Sequence, residues 1–335
     1  MISEVCPGIF RHEVPLPGNP LKTVNSYLVK GENRSLLVDT GFDKDECRKI
    51  IDDNLATIGA DMAKTDIFIT HIHADHLGLA SALATPNSKV YFGHKEAAMS
   101  AATPEEKETW WKRMADRYTA NGFPQEILET AFIMHPGKRF GGHNPVTYTR
   151  VADGDHIQAG DYNFTVVETP GHSPLHCCLY EPEKKILFSG DHILGQITPN
   201  ITWWQGMENS LARYIESLDK IYPLEINLVL PGHRKPFTNH RRRIEQIKQH
   251  HESRCQEVMQ ALAEGEKNVY QIAPSIAWNV GFGNWDVFPV PQKWFAFGEA
   301  MAHLEYLKYQ GKVTTQVSGG INRYALAANC TLAKP

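Results

Sequence analysis

The stretch Asp66-Ile67-Phe68-Ile69-Thr70-His71-Ile72-His73-Ala74-Asp75-His76 decides how the rest of the chain is read. Its first half is β-branched and aromatic, the composition of a buried strand. Its second half sets three imidazoles and a carboxylate within six residues, in the pattern HxHxDH. Burying such a group unpaired is costly. A divalent cation resolves the conflict, because imidazole and carboxylate are ordinary zinc ligands. Alternation in an extended segment puts His71, His73 and Asp75 on one side, and a turn brings His76 round.

Three further stretches repeat a strand followed by a tight turn that carries a ligand-type residue. They are Thr169-Pro170-Gly171-His172 after residues 164–167, Ser189-Gly190-Asp191-His192 after 186–188, and Pro231-Gly232-His233 after 228–230. Any one alone reads as a polar loop residue. Four in this order are placed to converge at one edge of a sheet.

Working outward, residues 35–38 read as a buried strand running into Asp39-Thr40-Gly41. A helix follows, capped by Asp43, with Cys47, Ile50, Ile51, Leu55 and Ile58 on one face and Gly59 as its stop. Further strands are predicted at 67–69, 90–92, 146–148, 164–167, 178–180, 186–188 and 228–230. Strand–helix–strand alternation implies a sheet with helices packed outside it. Residues 95–135 break the rhythm. Trp110, Trp111, Met114 and Tyr118 fall at helical spacing, as do Ile127, Leu128, Ala131 and Phe132 after Pro124. This predicts a helical insertion whose aromatics are packing residues or a lid. Leu211, Tyr214, Ile215 and Leu218 mark another helix. Beyond about residue 239 strand signals stop. Ile244, Ile247, His251, Val258 and Leu262 form one helical stripe, residues 269–276 a short helix, and Trp294, Phe297, Met301, Leu304 and Leu307 a third that ends at Gly311. Residues 313–317 and 322–326 flank Ser318-Gly319-Gly320, a hairpin turn. The predicted organisation is a domain over 1–238 and a helical, winged-helix-like domain over 239–335.

Composition narrows the function classes. The net charge of −4 is too small for a chain built to coat nucleic acid. No apolar run approaches the ~18 residues that span a bilayer, so no membrane partner is expected. MISEVCPGIF lacks a basic stretch followed by an apolar core, so no signal peptide is expected. The six cysteines show no CxxC spacing, which argues against a disulfide framework or a cysteine zinc site. A cytoplasmic protein is the expectation.

With the four motifs placed, residues 1 to about 240 resemble the metallo-β-lactamase superfamily. The resemblance implies an αββα sandwich with a two-metal site at one edge. It implies that His71, His73 and His172 hold one metal, that Asp75, His76 and His233 hold the second, and that Asp191 bridges them. The implied cofactor is a pair of zinc ions, with iron or manganese as alternatives. Asp39 matches the first motif of the superfamily and would orient ligands rather than bind metal. His176 reads either the same way or as a hydrogen-bonded structural histidine. Two metals roughly 3.5–4 Å apart can share a water and lower its pKa towards ~7, giving a hydroxide that attacks a carbonyl or phosphoryl centre. Asp75 would both bind metal and orient that nucleophile. No serine or cysteine nucleophile is needed, and Cys177-Cys178 reads as buried packing. His12, His94, His135, His143, His156, His240, His250, His251 and His303 fit no ligand motif and read as structural.

Within the superfamily, His73 stands where the flavodiiron branch has Glu, which argues against a di-iron oxygen reductase. Residues 190–201 and 231–254 resemble the glyoxalase-II-like branch with a C-terminal winged-helix domain, although no glutathione-binding residue maps. The leading expectation is hydrolysis of an ester or thioester of a small molecule, with Trp110, Trp111, Trp203, Trp204 and His192 as pocket residues. A second reading is a nuclease or phosphodiesterase acting on single-stranded RNA. It is motivated by Arg234, Lys235, Arg241, Arg242, Arg243, Lys248 and Arg254, set against Glu245 and Glu252. The bland reading of that patch is a solvated helix face, and the functional one a dock for a coenzyme A ester or nucleic acid. A third reading is a mononuclear iron sulfur-oxygenase. Tyr306, Lys308, Lys312 and Arg323 are too few for a DNA-recognition face, so the tail is expected to shape the substrate cleft or a homodimer interface.

Overall fold

Leu36 and Val38 of one short strand point to one core, and Leu37 between them points to another. Period-2 alternation with both faces buried is what a central sheet strand requires. The computed structural model describes residues 2–141, 146–278, 284–328 and 330. The first sheet contains β1 (Ile2–Cys6), β2 (Ile9–Pro15), β3 (Thr23–Val29), β4 (Ser35–Val38), β5 (Thr65–Ile69), β6 (Val90–Gly93) and β7 (Tyr148–Val151), in that spatial order. Its first four strands pair antiparallel and β4 to β7 pair parallel. The second sheet contains β8 (His156–Ala159), β9 (Tyr162–Glu168), β10 (Cys177–Glu181), β11 (Ile186–Gly190) and β12 (Leu228–Pro231), laid out β12-β11-β10-β9-β8.

One core lies between the sheets. Tyr27, Val29, Leu36, Val38 and Phe68 meet Phe164, Val166, Leu179, Phe188 and Leu230 there. The second core covers the opposite face of the first sheet. Leu28, Leu37, Ile67, Ile69 and Phe92 pack against Cys47, Ile51 and Leu55 of the helix Asp45–Thr57 and against Ala74, Leu77, Ala80, Leu83 and Ala97. On the far side of the second sheet Leu218 and Ile221 are fully buried, and Lys220 reaches the Glu168 carbonyl at 3.0 Å. The layers are helix, sheet, sheet, helix, the expected αββα sandwich.

Contacts divide the chain into two compact units. The first comprises Met1–Ala102, Pro136–Pro199 and Ser217–Ile244, and the second Thr103–His135, Asn200–Glu216 and Glu245–Pro335. The second unit contains the helices Pro104–Ala120 and Gln125–Met134 of the expected insertion. It also contains the helix Val290–Tyr309 and the ribbon of β13 (Val313–Ser318) and β14 (Ile321–Leu326), which turns at Gly319-Gly320.

Three local expectations are corrected. The first helix is capped at Lys44 without a side-chain bond, not at Asp43. The strand expected at 146–148 begins at Tyr148, where pairing to β6 begins. Strands β1 to β3 precede the first strand read from sequence; buried Asn25 and Ser26 interrupt the apolar signal of β3. Among the described residues, no helix is long and apolar enough to cross a membrane, and the cysteines are free. His143 lies outside the described residues.

Candidate metal centre

Strand direction brings the motifs to one edge. β11 and β12 run parallel, and β9 runs the same way because β10 is antiparallel to both β9 and β11. The turns bearing His172, Asp191 and His233 therefore leave the same end of the second sheet. In the first sheet the parallel pair β4 and β5 ends at Asp39 and at Thr70-His71. Short backbone bonds tie the turns together. Cys177 N–H donates to Thr70 O at 2.8 Å, Gly232 N–H to Gly190 O at 2.8 Å, and Thr40 N–H to His76 O at 2.9 Å.

All seven side chains assigned to the metal site from the sequence come together. His71, His73 and His172 place ligand atoms within 4.8 Å of one another, as do Asp75, His76 and His233, and also His71, His76 and Asp191. His73 Nδ1 lies 2.9 Å from His71 Nε2 and 3.0 Å from His172 Nε2. One proton on His73 can satisfy only one of those neighbours. His76 Nε2 and Asp191 Oδ1 face each other at 3.5 Å. His233 Nε2 lies 3.4 Å from both Asp75 Oδ2 and Asp191 Oδ2. The buried atoms His76 Nε2, His233 Nε2 and Asp191 Oδ1 make no hydrogen bond among the described residues.

The other face of each ring explains which nitrogen points inward. His76 Nδ1–H donates to Asp39 Oδ2 at 2.7 Å. His233 Nδ1–H donates to the Thr23 carbonyl at 2.8 Å. The Thr70 hydroxyl donates to Asp39 Oδ2 at 2.8 Å and stands 3.0 Å from His71 Nδ1, so it accepts from that ring. Each bond ties Nδ1 and turns Nε2 inward, the usual way a protein presents histidine to a metal. His176 does different work. Its Nε2 accepts the Asp191 N–H at 3.2 Å, and its Nδ1 meets Thr169 Oγ1 at 2.8 Å. It orients the turn that carries Asp191.

The electrostatics divide the donor set. Despite burial, Asp39, Asp191 and Asp75 hold His76 well above the ordinary imidazole range, and Asp191 and Asp75 hold His233 at about 10. A bound cation would displace those two protons, while His71, His73, Asp75 and Asp191 are already in the metal-binding form. Burial, reinforced by neighbouring histidines, holds His71 well below the ordinary imidazole range and His73 at about 3, so both are neutral. Burial alone would raise Asp75, but His76 and His233 beside it hold it at about 2. Burial would likewise raise Asp191, and His233 and His76 hold it well below the usual carboxylate range. Neutral imidazoles and ionised carboxylates are the forms that bind divalent metal. The turns are also shaped for it. Gly190 has φ +46°, and a Cβ there would meet His176 Nε2 at 2.5 Å and Thr70 Oγ1 at 2.7 Å.

The expected pocket residues divide. His192 is fully buried, 6.0 Å ring to ring from His176, and burial lowers it to about 3. Trp110, Trp111, Trp203 and Trp204 belong to the second unit. Trp110 packs on Trp111 at 4.8 Å and Trp204 at 6.2 Å, and Trp203 lies under Arg117 at 5.4 Å.

Sequence reading missed two supports. Asn25 donates from Nδ2 to the carbonyls of Pro231 at 2.8 Å and Arg234 at 2.7 Å, and its N–H to Gly232 O at 2.7 Å, so it clamps the His233 turn. Glu96, fully buried, accepts the Leu175 N–H at 2.8 Å, and Ser173 and the Ile72 N–H approach the same carboxylate. It links the turn of His71 and His73 to that of His172. A single Asn or Glu in the sequence carries no signal for such roles.

Fold, donor set and motif order define a metallo-hydrolase, and residues 20–233 match the model of the metallo-beta-lactamase superfamily. The chain belongs to that superfamily. Residues 255–327 match the metallo-beta-lactamase-like C-terminal domain. The chain is similar to a probable metallo-hydrolase, YqjP, of Bacillus subtilis (strain 168), with 22% identity over 303 residues, 88% of this chain and 90% of that one. It is 27% identical over 225 residues to the acyl-coenzyme A thioesterase MBLAC2 of Homo sapiens, covering 64% of this chain and 74% of that one. Among solved structures, a metallo-beta-lactamase family protein from Thermus thermophilus aligns with a TM-score of 0.79 and 29% identity, over 96% of this chain and 100% of that one.

Proposed function

We propose that the protein is a dinuclear zinc hydrolase that cleaves an ester or thioester of a small acyl substrate. His71, His73 and His172 hold one ion, Asp75, His76 and His233 the other, and Asp191 is shared between them. The observation that carries this reading is the convergence of inward ring nitrogens and carboxylates. His76 Nε2 and His233 Nε2 are buried without a hydrogen bond among the described residues, and His73 Nδ1 lies between two ring nitrogens at 2.9 and 3.0 Å. Bound there, two divalent cations supply a water acidified towards pKa ~7 and a Lewis acid for the attacked carbonyl. The chain supplies the rest. Asp39 and the Thr23 carbonyl hold His76 and His233 in the required tautomer, and His176 fixes the Asp191 backbone. Asp75, an anion at neutral pH, orients the attacking water. Water adds to the acyl carbon and gives up a proton. When the carbon–sulfur bond breaks, the thiolate leaves unprotonated and that proton passes to solvent; when a carbon–oxygen bond breaks, the proton goes to the leaving alkoxide. Cys177 and Cys178 take no part. Burial pushes Cys177 up well above an ordinary thiol and Cys178 up to about 12.

The thioester preference rests on the similarity to a relative named as an acyl-coenzyme A thioesterase. The phosphodiesterase reading loses much of its support at the basic stretch. Arg234 donates to Leu21 O at 3.0 Å, Arg241 to Tyr222 O at 3.0 Å and to Glu225 at 2.9 Å, and Arg243 to Leu194 O at 2.6 Å. Arg254 pairs with Glu299. Arginines committed in this way are poorly placed to hold phosphates. The second triad of Asp75, His76 and His233 offers donors for a second ion, and metal analysis separates this reading from a mononuclear iron centre.

The test is thiol release from a panel of acyl-coenzyme A esters by zinc-loaded protein, with simple esters and single-stranded RNA alongside. Release that is abolished by a chelator and restored by zinc is expected. Cleavage of RNA alone, or oxygen uptake by a one-iron form, contradicts the reading.

A further inference from the structure

A second group of histidines lies in the second unit, on elements that carry none of the motifs above. His251, within the helix His240–Ala263, is 1% exposed, and His303, within the helix Val290–Tyr309, is fully buried. His303 Nδ1 lies 2.8 Å from the Glu299 carbonyl oxygen. A carbonyl only accepts, so this nitrogen carries the proton. Burial keeps the His303 ring neutral, and its Nε2 is therefore a bare acceptor. That acceptor is 3.1 Å from His251 Nδ1, which must donate to it. The relay leaves His251 Nε2 as a lone pair, buried and without a hydrogen bond among the described residues. As at His76 and His233, the outer nitrogen is tied and Nε2 faces inward.

His250, His251 and Glu299 bring ligand atoms within 4.8 Å of one another. The Glu299 carboxylate is held as a ligand carboxylate would be, by Asn200 Nδ2 at 2.6 Å and by Arg254. Arg254 is itself anchored, over the Trp278 ring at 4.4 Å and to the Ala277 carbonyl at 3.0 Å. Burial raises the Glu299 carboxyl above its usual range and the Arg254 charge counters this in part. The same charge opposes a cation, so the site is weaker than one without it. Two imidazoles and a carboxylate form a donor set suited to zinc.

We infer that His250, His251 and Glu299 form a further zinc site, separate from the dinuclear centre, that links the helices His240–Ala263 and Val290–Tyr309. Its role is to brace the second unit rather than to react.

The test uses the full chain, stripped with a chelator, reloaded with zinc, desalted and assayed for metal per chain by mass spectrometry. Three zinc ions are expected in the wild type and two in His251→Phe, with hydrolysis retained. Equal zinc in the two proteins overturns the site and leaves a buried water as the partner of His251 Nε2. If only the dinuclear reading is wrong, the wild type holds fewer than three zinc ions but still one more than His251→Phe. Should His251→Phe fail to fold, His250→Ala, at a half-buried position, gives the same decision. Zinc at this site is expected to weaken by at least tenfold in competition with a chelator, and unchanged affinity overturns the inference.

Discussion

Asp39 Oδ2 lies 2.7 Å from His76 Nδ1, both side chains are buried, and the same carboxylate takes the Thr70 hydroxyl that meets His71. One anion thus sets the tautomers of histidines from both proposed metal positions. Asp39 has φ +59°, a conformation that Asn also tolerates. Asp39→Asn should therefore keep the backbone while removing the charge and turning one acceptor oxygen into a donor. Zinc affinity and kcat/KM are expected to fall about 10–100-fold, with an unchanged circular dichroism spectrum. Chelator competition and steady-state assays check this.

Gly232 is a steric probe of the space between the ligands. A Cβ there would meet Asp191 Oδ1 and come within 2.7 Å of His76 Cε1. Gly232→Ala is expected to cost about 1–3 kcal/mol of stability through crowding and at least tenfold in zinc affinity. Wild-type affinity would show that the turn yields without disturbing the site.

Glu96 provides a pH signature. Burial pushes its carboxyl from 4.5 up to about 7, against the hydrogen bonds that favour its anion. A raised pKa means that the folded protein holds this proton more tightly than the unfolded chain. Its stabilising contribution is full below about pH 4.5 and is lost as pH rises through about 7. Glu96→Gln mimics the protonated form. It should match the wild type most closely in urea unfolding at about pH 4 and exceed it at pH 8, by up to about 3 kcal/mol. A constant difference across that range would contradict the assignment.

The cysteines should be inert. Cys47, Cys177, Cys178 and Cys255 are buried, and burial raises each thiol. Iodoacetamide applied to the native protein is expected to leave hydrolysis unchanged. Rapid inactivation would point to a thiol in the reaction.

The ligand set is legible because its chemistry is unusual: HxHxDH after an apolar run has few meanings, and each later ligand follows a strand whose residues are mostly apolar. The edge where they meet follows from parallel pairing, which sequence order alone implies. Less visible are elements whose pattern is mixed. β3 buries Asn25 and Ser26 because they bond to the site's turns, so its hydropathy does not read as a strand. β7 exposes Thr149 and Arg150, which displaces its apparent start by two residues. Glu96, buried in a short helix with several exposed residues, resembles any surface glutamate in the sequence. His251 and His303 look like plain core residues because their relay joins helices far apart in the chain.

The central claim is metal-dependent hydrolysis at the His71 centre. The most direct measurement adds zinc stepwise to chelator-treated protein, wild type and His71→Ala, while following hydrolysis of the best substrate in the panel. Activity that rises from zero with zinc in the wild type, and stays at least about 1,000-fold lower (about 4 kcal/mol) in a folded His71→Ala protein, is the expected result. Full activity without metal, or wild-type turnover in His71→Ala, would contradict it.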